Sequence, residues 1–150
     1  MRAVIQRTSK AHVEIDSHII SSIGCGILVF LGIETEDEES DIEWLANKIV
    51  GLRIFDDESG VMNRNIVDIA GEVMIISQFT LYASTKKGRR PSYLRSAKPD
   101  KARPLYDKAI NIFENIMEKS VARGKFGADM KVSLTNDGPV TIIIDTKNRE

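Results

Sequence analysis

The feature that most constrains the fold is the apolar run from Gly26 to Ile33, Gly-Ile-Leu-Val-Phe-Leu-Gly-Ile. A short, continuous apolar run of this kind is typical of a strand that is buried on both faces. β-Branched and alternating patterns predict further strands around it. These lie at Met1 to Thr8, His12 to Asp16, Ser17 to Ile23, Glu72 to Gln78, Lys131 to Thr135 and Val140 to Asp145. The second and third should form a hairpin with His18 at its tip.

Two segments follow the 3.6-residue period of a helix. The first begins at Ser40 or Asp41 and ends near Leu52, and the second begins at Pro99 or Asp100 and ends near Ala122. With the strands, they predict a single α/β (α+β) domain covering residues 1–150. Its expected architecture is a sheet or partly closed, barrel-like sheet with two main helices packed outside.

Composition narrows the class of protein. The 150 residues are 42% hydrophobic and 29% charged, as in a globular domain. One cysteine (Cys25) and two histidines (His12 and His18) exclude an internal disulfide and a Cys/His zinc cage, so no metal or cofactor is expected. Because the chain has neither a secretory h-region nor a run of about 20 apolar residues, a cytoplasmic protein without membrane contact is expected.

Charge is unevenly distributed along the chain. Glu34 to Glu43 contains seven acidic residues at the start of the first helix, whereas Lys86 to Arg103 contains eight basic residues and one acidic residue. The basic block includes a loop, interrupted by glycine and proline, whose cations are Lys86, Lys87, Arg89 and Arg90. Such a loop suits a phosphate backbone, and the alternative is a plain solvated loop.

Two polar runs stand at the ends of predicted strands, Ser77-Gln78-Phe79-Thr80-Leu81-Tyr82 and Asn136-Asp137-Gly138-Pro139-Val140-Thr141. Neither holds a His, Cys or carboxylate in a catalytic pairing, so any chemistry must use hydroxyls and main-chain dipoles. In the first run, backbone N–H groups can hold an oxyanion, Gln78 can orient a carbonyl, and the Thr80 hydroxyl can donate, accept or attack. The alternative is an ordinary polar strand end.

The second run has two interpretations. Asn, Asp, Gly and Pro together are typical of a hairpin turn. However, Pro139 directly precedes a strand, where it removes one ladder donor and leaves neighbouring carbonyls free. In a cis Gly-Pro unit these carbonyls can accept hydrogen bonds from an ammonium, although the sequence alone does not show the cis state.

Together with four other segments, these runs resemble the D-aminoacyl-tRNA deacylase (D-tyrosyl-tRNA deacylase) family over the whole chain. The other segments are Met1 to Arg7, Leu52 to Phe55, Lys87 to Ser92 and Phe126 to Met130. Small departures from the family pattern are Thr8, His12 and Thr135, all outside the two polar runs.

The resemblance implies hydrolysis of the ester between tRNA and a D-amino acid, or glycine mischarged on tRNA-Ala. It implies a homodimer in which each pocket is made by Ser77, Gln78, Phe79 and Thr80 with the cis pair Gly138-Pro139 of the partner subunit. Arg7, Val140 and Thr141 would support the inserted loop, and Lys86, Lys87, Arg89 and Arg90 would bind tRNA. Main-chain atoms would accept many side chains while the Gly-Pro pair excludes the L configuration.

More than one nucleophile and more than one class of function are compatible with the sequence. Thr80 is one candidate nucleophile, but no base is placed to activate it. The preferred route is a water assisted by the 2′-hydroxyl of the tRNA, with an oxyanion held at Phe79 and Thr80. Rival functions are a non-catalytic RNA-binding module and a hydrolase for another small ester or amide. The low aromatic content of 6% argues against stacking on single-stranded RNA.

Overall fold

The first strand of the computed structural model, which describes residues 1–149, is longer than predicted. β1 runs without interruption from Arg2 to Ile15. The prediction of separate strands ending at Thr8 and beginning at His12 was wrong, because irregularities between Gln6 and Lys10 break the burial alternation. Arg7 and Thr8 are both buried there, and Ser9 and Lys10 are both exposed. A bulged strand of this kind looks like a gap in a period-2 pattern.

β1 organises a mixed sheet. One edge pairs antiparallel with β2 (His18–Ile23) and β3 (Gly26–Gly32), and the other edge pairs antiparallel with β8 (Lys131–Asp145). Beyond β3 follow β6 (Glu72–Ser77) and the short β7 (Ala122–Arg123), both parallel. The predicted hairpin turns at Asp16 and Ser17, which both have positive φ. β4 (Phe55–Asp56) and β5 (Met62–Arg64), a separate small ribbon, were not predicted.

Central strand β3 is buried on both faces, as predicted. Ile27, Val29 and Leu31 face the main core with the two helices, whereas Leu28 belongs to a second cluster. That cluster brings together side chains of β1, β2, β3 and β6, namely Ala11, Val13, Ile23, Leu28, Met74 and Ile76. Because these strands curl around a common apolar interior, the sheet is barrel-like, which confirms the expected fold class.

Both predicted helices are present with different ends. α1 spans Glu39–Val50, and its N-cap is Glu38 instead of Ser40 or Asp41. α2 spans Pro99–Met117 and stops well before Ala122, because Glu118 adopts a left-handed conformation with φ of 53° and the chain then enters β7. No helix among residues 1–149 has the length and apolar content needed to cross a bilayer.

The hydrogen bonds and the ion pair of Asp41 should make the free energy of unfolding depend on pH in the acid range. Burial opposes its ionisation, but hydrogen bonds from Lys147, the Glu38 N–H and Thr146 lower the pKa of Asp41 to about 2. The Lys147 Nζ lies 2.8 Å from its Oδ2. A lowered pKa stabilises the fold above the unfolded value near 3.8, and this stabilisation is lost as pH falls towards 2.

We expect Asp41→Asn to lower the free energy of unfolding at pH 7 by about 2 kcal/mol. The difference from the original chain should shrink between pH 4 and pH 2. Urea unfolding at a series of pH values measures this. A constant difference at all pH values would show that the carboxylate charge is not responsible.

Thr8 carries a buried hydroxyl that has no hydrogen-bond partner among the described residues. It is also one of the departures from the family pattern, where an apolar residue is expected. Because an unpaired buried hydroxyl is costly, the isosteric change Thr8→Val should raise the free energy of unfolding by about 1 kcal/mol. Urea titration measures it, with exposed Thr135→Val on β8 as the control. A destabilised Thr8→Val chain would contradict the assignment.

Candidate active site at the end of strand β6

The first polar run forms a turn at the carboxyl end of β6. β6 ends at Ser77, the Gln78 N–H donates to the Leu31 carbonyl of β3 at 2.8 Å, and residues Phe79–Tyr82 form a 3₁₀ turn. The turn uses the N–H groups of Leu81 and Ala83 for its own hydrogen bonds. The N–H groups of Phe79 and Thr80, at its start, are not used by these hydrogen bonds.

A cavity of about 590 Å³ opens beside this turn. Three of the predicted site residues, Ser77, Gln78 and Phe79, line it, whereas Thr80 is not among its lining residues. The opposite walls come from the start of α2 and from the segment before β8, with Tyr93, Ala97, Ala102, Phe126 and Met130. Phe79 is 54% exposed at the mouth, where its ring packs edge-on to Tyr93 at 5.0 Å.

These opposite walls were not predicted as site residues. Phe126 to Met130 was one of the runs that carried the family resemblance, and this was the available signal for its role. Tyr93 had no signal, because its place beside Phe79 depends on the path of the whole basic loop.

Thr80 receives a hydrogen bond from a neighbour instead of giving its proton to a base. The Gln78 Nε2 donates to the Thr80 Oγ1. His12 and His18 lie on β1 and β2, away from the cavity walls. Among residues 1–149, no three His, Cys, Asp or Glu side chains are grouped to hold a metal ion.

The side chains of Ser96 and Arg2 donate hydrogen bonds to backbone carbonyls of the turn. The Ser96 Oγ donates to the Phe79 carbonyl at 2.8 Å, and the Arg2 Nη1 donates to the Leu81 carbonyl at 2.8 Å. The same guanidinium pairs with Asp145 at 2.8 Å. Although burial opposes ionisation of Asp145, the contact with Arg2 helps keep its pKa below the usual range. The turn is therefore fixed at both ends by charged or hydroxyl donors.

The second polar run is a loop that projects from β8. Gln6 pairs with Thr141 and Thr8 with Asn136, so both flanks pair with β1 and residues 137–140 bulge outward. The hairpin interpretation was wrong, because the flanks do not pair with each other. Gly138 and Pro139 are exposed, their peptide bond is cis, and Gly138 has a φ of 122°.

Arg7, Asn136 and Thr141 fix the base of this loop. Arg7, 8% exposed, donates from Nε to the Asp137 carbonyl at 3.1 Å and from Nη1 to the Ile54 carbonyl at 2.6 Å. Asn136 accepts the Val140 N–H at 3.1 Å and donates to the Thr141 hydroxyl at 2.9 Å. Of the predicted supporting residues, Arg7 contacts the loop from β1, whereas Val140 is part of the loop and Thr141 is its flank.

Within one chain, the loop and the cavity do not meet. The Gln78 N–H, at the start of the turn, donates to Leu31, and Leu31 pairs with Ala3 of β1. The loop lies next to Arg7 of β1, because its two flanks pair with the residues on either side of Arg7. Ala3 and Arg7 are separated by roughly 13 Å along β1, at about 3.3 Å per residue. In addition, β8 and β6 lie on opposite sides of β1.

The basic loop projects into solvent close to the cavity mouth. Mutual hydrogen bonds between Ser84 and Ser92 close it. Its four cations, Lys86, Lys87, Arg89 and Arg90, are all exposed. The chain then returns through Tyr93 and Ser96, which contact Phe79. The loop is therefore joined directly to the segment that contacts Phe79 beside the cavity.

Comparison with known proteins identifies the family of this chain. The family model described as D-Tyr-tRNA(Tyr) deacylase matches residues 4–145. A D-aminoacyl-tRNA deacylase of Bacteroides thetaiotaomicron is 57% identical over 150 residues and 100% of both chains. One of Christiangramia forsetii is 56% identical over 149 residues and 99% of both.

Two solved structures share the fold. One, described as "c-Myc DNA Unwinding Element Binding Protein", has a TM-score of 0.91 at 38% identity and covers 97% of this chain and 98% of its own. The other is a probable eukaryotic D-amino acid tRNA deacylase, with a TM-score of 0.81 and coverage of 95% and 97%. At 14% identity, the second supports the fold alone. The family match and the full-length relatives confirm the family that the six sequence runs predict: the chain belongs to the D-Tyr-tRNA(Tyr) deacylase family.

Proposed function

We propose that the chain hydrolyses the ester bond of D-aminoacyl-tRNA, releasing free tRNA and the D-amino acid. Family membership indicates this reaction, and glycine esterified to tRNA-Ala is proposed as a further substrate because it has no side chain to reject. Since charged tRNA is used by cytoplasmic ribosomes, the proposed activity places the chain in the cytoplasm.

The proposed chemistry rests on the N–H groups of Phe79, which lines the cavity, and of Thr80, the next residue, because the hydrogen bonds of the turn use neither of them. In ester hydrolysis, a nucleophile adds to the carbonyl carbon and negative charge develops on the carbonyl oxygen. Preorganised N–H donors stabilise that charge, and removing one such donor typically costs 10²- to 10³-fold in kcat. Ser96 and Arg2, which hold the carbonyls of the turn, keep these donors in place.

We assign the attack to water, positioned by the 2′-hydroxyl of the terminal ribose. Water adds to the ester carbon, the bond to the ribose 3′-oxygen breaks, and that oxygen takes up a proton as the amino acid leaves. The hydrogen bond from Gln78 to the Thr80 Oγ1 supports this choice. A donor on that oxygen occupies a lone pair, so the hydroxyl is a weaker nucleophile.

A second copy of the chain would complete the site. The loop at Gly138 and Pro139 lies far from the cavity of its own chain, yet it is exposed and held rigidly by Arg7. On the outer face of β1 and β8, the apolar pair of Val4 and Ile143, with Ile143 69% exposed, lies between the polar pairs Arg2–Asp145 and Gln6–Thr141. Such a face suits contact with a second copy. In that homodimer, Gly138 and Pro139 of the partner subunit would enter each cavity.

This arrangement accounts for chirality. Carbonyls of Gly138 and Pro139 would accept hydrogen bonds from the α-ammonium of the substrate, and the D side chain would point to solvent. An L side chain would collide with the same backbone, so selection would depend on exclusion instead of side-chain recognition. The basic loop would hold the phosphates of the tRNA acceptor end.

Thr80 gives a direct test of the catalytic step. Thr80→Ala should keep kcat for D-tyrosyl-tRNA within about 10-fold, because the backbone N–H is retained. Thr80→Pro removes that N–H at a position in the first turn where proline is tolerated, and should lower kcat by about 10²- to 10³-fold. Single-turnover release of D-tyrosine measures both. Loss of turnover in Thr80→Ala with intact tRNA binding would establish Thr80 as the nucleophile instead.

Nucleic-acid binding without catalysis is the second candidate. It is favoured by the basic loop and by the solved relative that is described as a DNA unwinding element binding protein. Matched D- and L-tyrosyl-tRNA distinguish the two functions. Rapid release from the D substrate alone supports the deacylase. Retention of tRNA with no release from either substrate supports the binding module.

A further inference from the structure

The aromatic ring of Tyr82 lies at the end of the 3₁₀ turn that begins at Phe79. Tyr82 is 2% exposed, and its hydroxyl has no hydrogen-bond partner among the described residues. Burial, followed by nearby carboxylates, raises the pKa of the Tyr82 hydroxyl, so the ring stays neutral. Because the hydroxyl gives the turn no support, any anchoring of this side chain depends on its ring.

Two guanidinium groups lie over this ring. The Arg2 Cζ lies 4.9 Å from the ring centroid, and the Arg95 Cζ lies 5.3 Å from it. A cation within about 6 Å of an aromatic centroid is attracted by the negative face of the ring. The end of the turn therefore has two cationic contacts, one from β1 and one from the segment that follows the basic loop.

Arg95 is held in place by Glu34. The Arg95 Nη2 donates to the Glu34 Oε2 at 2.8 Å, and the Glu34 side chain is 11% exposed, whereas that of Arg95 is 60% exposed. The Arg95 carbonyl also accepts the Thr35 N–H at 3.2 Å. Both the backbone and the side chain of Arg95 are therefore fixed against the segment that follows β3.

The residue next to Arg95 contacts the other end of the same turn. Ser96 donates to the Phe79 carbonyl at 2.8 Å, whereas Arg95 lies over the ring of Tyr82. Two consecutive residues thus contact the first and the last residue of the turn. Because the turn has only four residues, a displacement at its end would also shift the N–H groups of Phe79 and Thr80 at its start.

We propose that Arg95 is a positioning residue for the deacylation reaction. Paired with Glu34 and lying over the ring of Tyr82, it fixes the 3₁₀ turn and so the backbone donors that the ester oxygen would use. This role of Arg95 rests on the proposed function, because the donors take part in catalysis only if an ester is hydrolysed beside them.

An exposed arginine close to the basic loop has an alternative role as a direct contact to a tRNA phosphate. Loss of a phosphate contact weakens binding, so KM for D-tyrosyl-tRNA would rise and would depend less on salt. Loss of a positioning contact lowers kcat instead, and does so equally for D-tyrosyl-adenosine, which has no acceptor stem. The small ester therefore separates the two roles.

Steady-state kinetics of both esters test the role of the guanidinium. Arg95→Met removes the charge, and it should lower kcat for both esters by about 10-fold and leave each KM within about 3-fold. Arg95→Lys restores a cation and should recover about half of the original kcat. Arg103→Met, on the exposed side of α2, is the matched control and should leave hydrolysis of D-tyrosyl-adenosine unchanged. A rise in KM for the tRNA ester alone would overturn the proposal.

Variants of Tyr82 test whether Arg95 acts through the ring. Tyr82→Leu should lower kcat for D-tyrosyl-adenosine by about 10-fold, whereas Tyr82→Phe, which retains the ring, should recover most of this loss. Adding Arg95→Met to Tyr82→Leu should lower kcat no further, because both changes remove the same contact. Losses that multiply in the double variant would show that Arg95 acts elsewhere and would contradict the proposal.

Amide hydrogen exchange tests the position of the turn without a substrate. The N–H groups of Leu81 and Ala83 are bonded within the turn. They should exchange about 5-fold faster in Arg95→Met than in the original chain, and Arg95→Lys should reverse most of this change. If the original chain releases no amino acid from either ester, the proposed function fails, and these exchange rates alone decide whether Arg95 holds the turn. Unchanged exchange in Arg95→Met would overturn the proposal.

Discussion

Gly138→Ala should lower kcat/KM for D-tyrosyl-tRNA by at least about 100-fold, since mispositioning a group that orients the substrate has effects of this size. Gly138 has a φ of 122°, a conformation that L residues rarely adopt. An added Cβ would also lie 2.9 Å from the Val140 Cγ2 and 3.1 Å from the Arg7 Nη2. The loop would have to leave the position that Arg7 gives it. Amino acid release from D- and L-tyrosyl-tRNA measures both activity and chirality.

Gly60→Ala is the matched control for backbone strain. Gly60 also has a positive φ, 75°, but a Cβ there meets nothing within 4 Å. It should reduce stability slightly and leave release of D-tyrosine unchanged. Normal rate and chirality in Gly138→Ala would show that this loop does not select the substrate.

The same variant tests whether the loop acts across two subunits. In a mixed dimer of Gly138→Ala and Thr80→Pro chains, one site combines an unaltered turn with an unaltered loop from the partner subunit. Random mixing of two inactive variants should then restore about a quarter of the original activity, because half of the dimers carry one intact site. A mixture that remains inactive, although the chains exchange, would place the loop and cavity of one chain in the same site.

Reversing the charge of Arg89 and Arg90 together should raise KM for D-tyrosyl-tRNA by about 10- to 100-fold, with little change in kcat. Both guanidiniums are exposed on the loop closed by Ser84 and Ser92. Cations on such a loop gain affinity by releasing counterions from phosphates, so the dependence of KM on salt should become shallower. Steady-state kinetics at several salt concentrations measure both effects.

A small ester separates tRNA binding from catalysis. Hydrolysis of D-tyrosyl-adenosine, which lacks the acceptor stem, should be unaffected in Arg89→Glu/Arg90→Glu. Lys10→Glu/Lys131→Glu changes the net charge equally on exposed parts of β1 and β8 and is the control for long-range electrostatics. If both double variants weaken tRNA binding equally, the basic loop has no specific role.

Local patterns predicted much of this fold, and contacts between distant residues account for what they missed. The apolar run that begins at Gly26 predicted strand β3, which is buried on both faces, and the 3.6-residue period predicted both helices. The uninterrupted β1 was missed because its bulges hide the alternation near Thr8. The end of α2 was missed because Glu118, not a glycine, adopts the left-handed conformation.

The candidate site was predictable in its motifs but not in its assembly. Ser77, Gln78 and Phe79, which the strand end and the family resemblance singled out, line the cavity. The donation from Arg7 to Ile54 and that from Arg2 to Leu81 join residues far apart in sequence. No local periodicity encodes such pairs, because they arise only when separate elements pack together.

The loop at residues 137–140 can change in length without shifting the register of β8 against β1. Both flanks are paired with the same strand, so Asn136 and Thr141 are held in place independently of the residues between them. A residue added to or removed from residues 137–140 would change how far the loop extends, while the side chains of β8 would keep their faces. The distance to which the loop extends can therefore vary, in evolution or by engineering, without rebuilding the core beneath it.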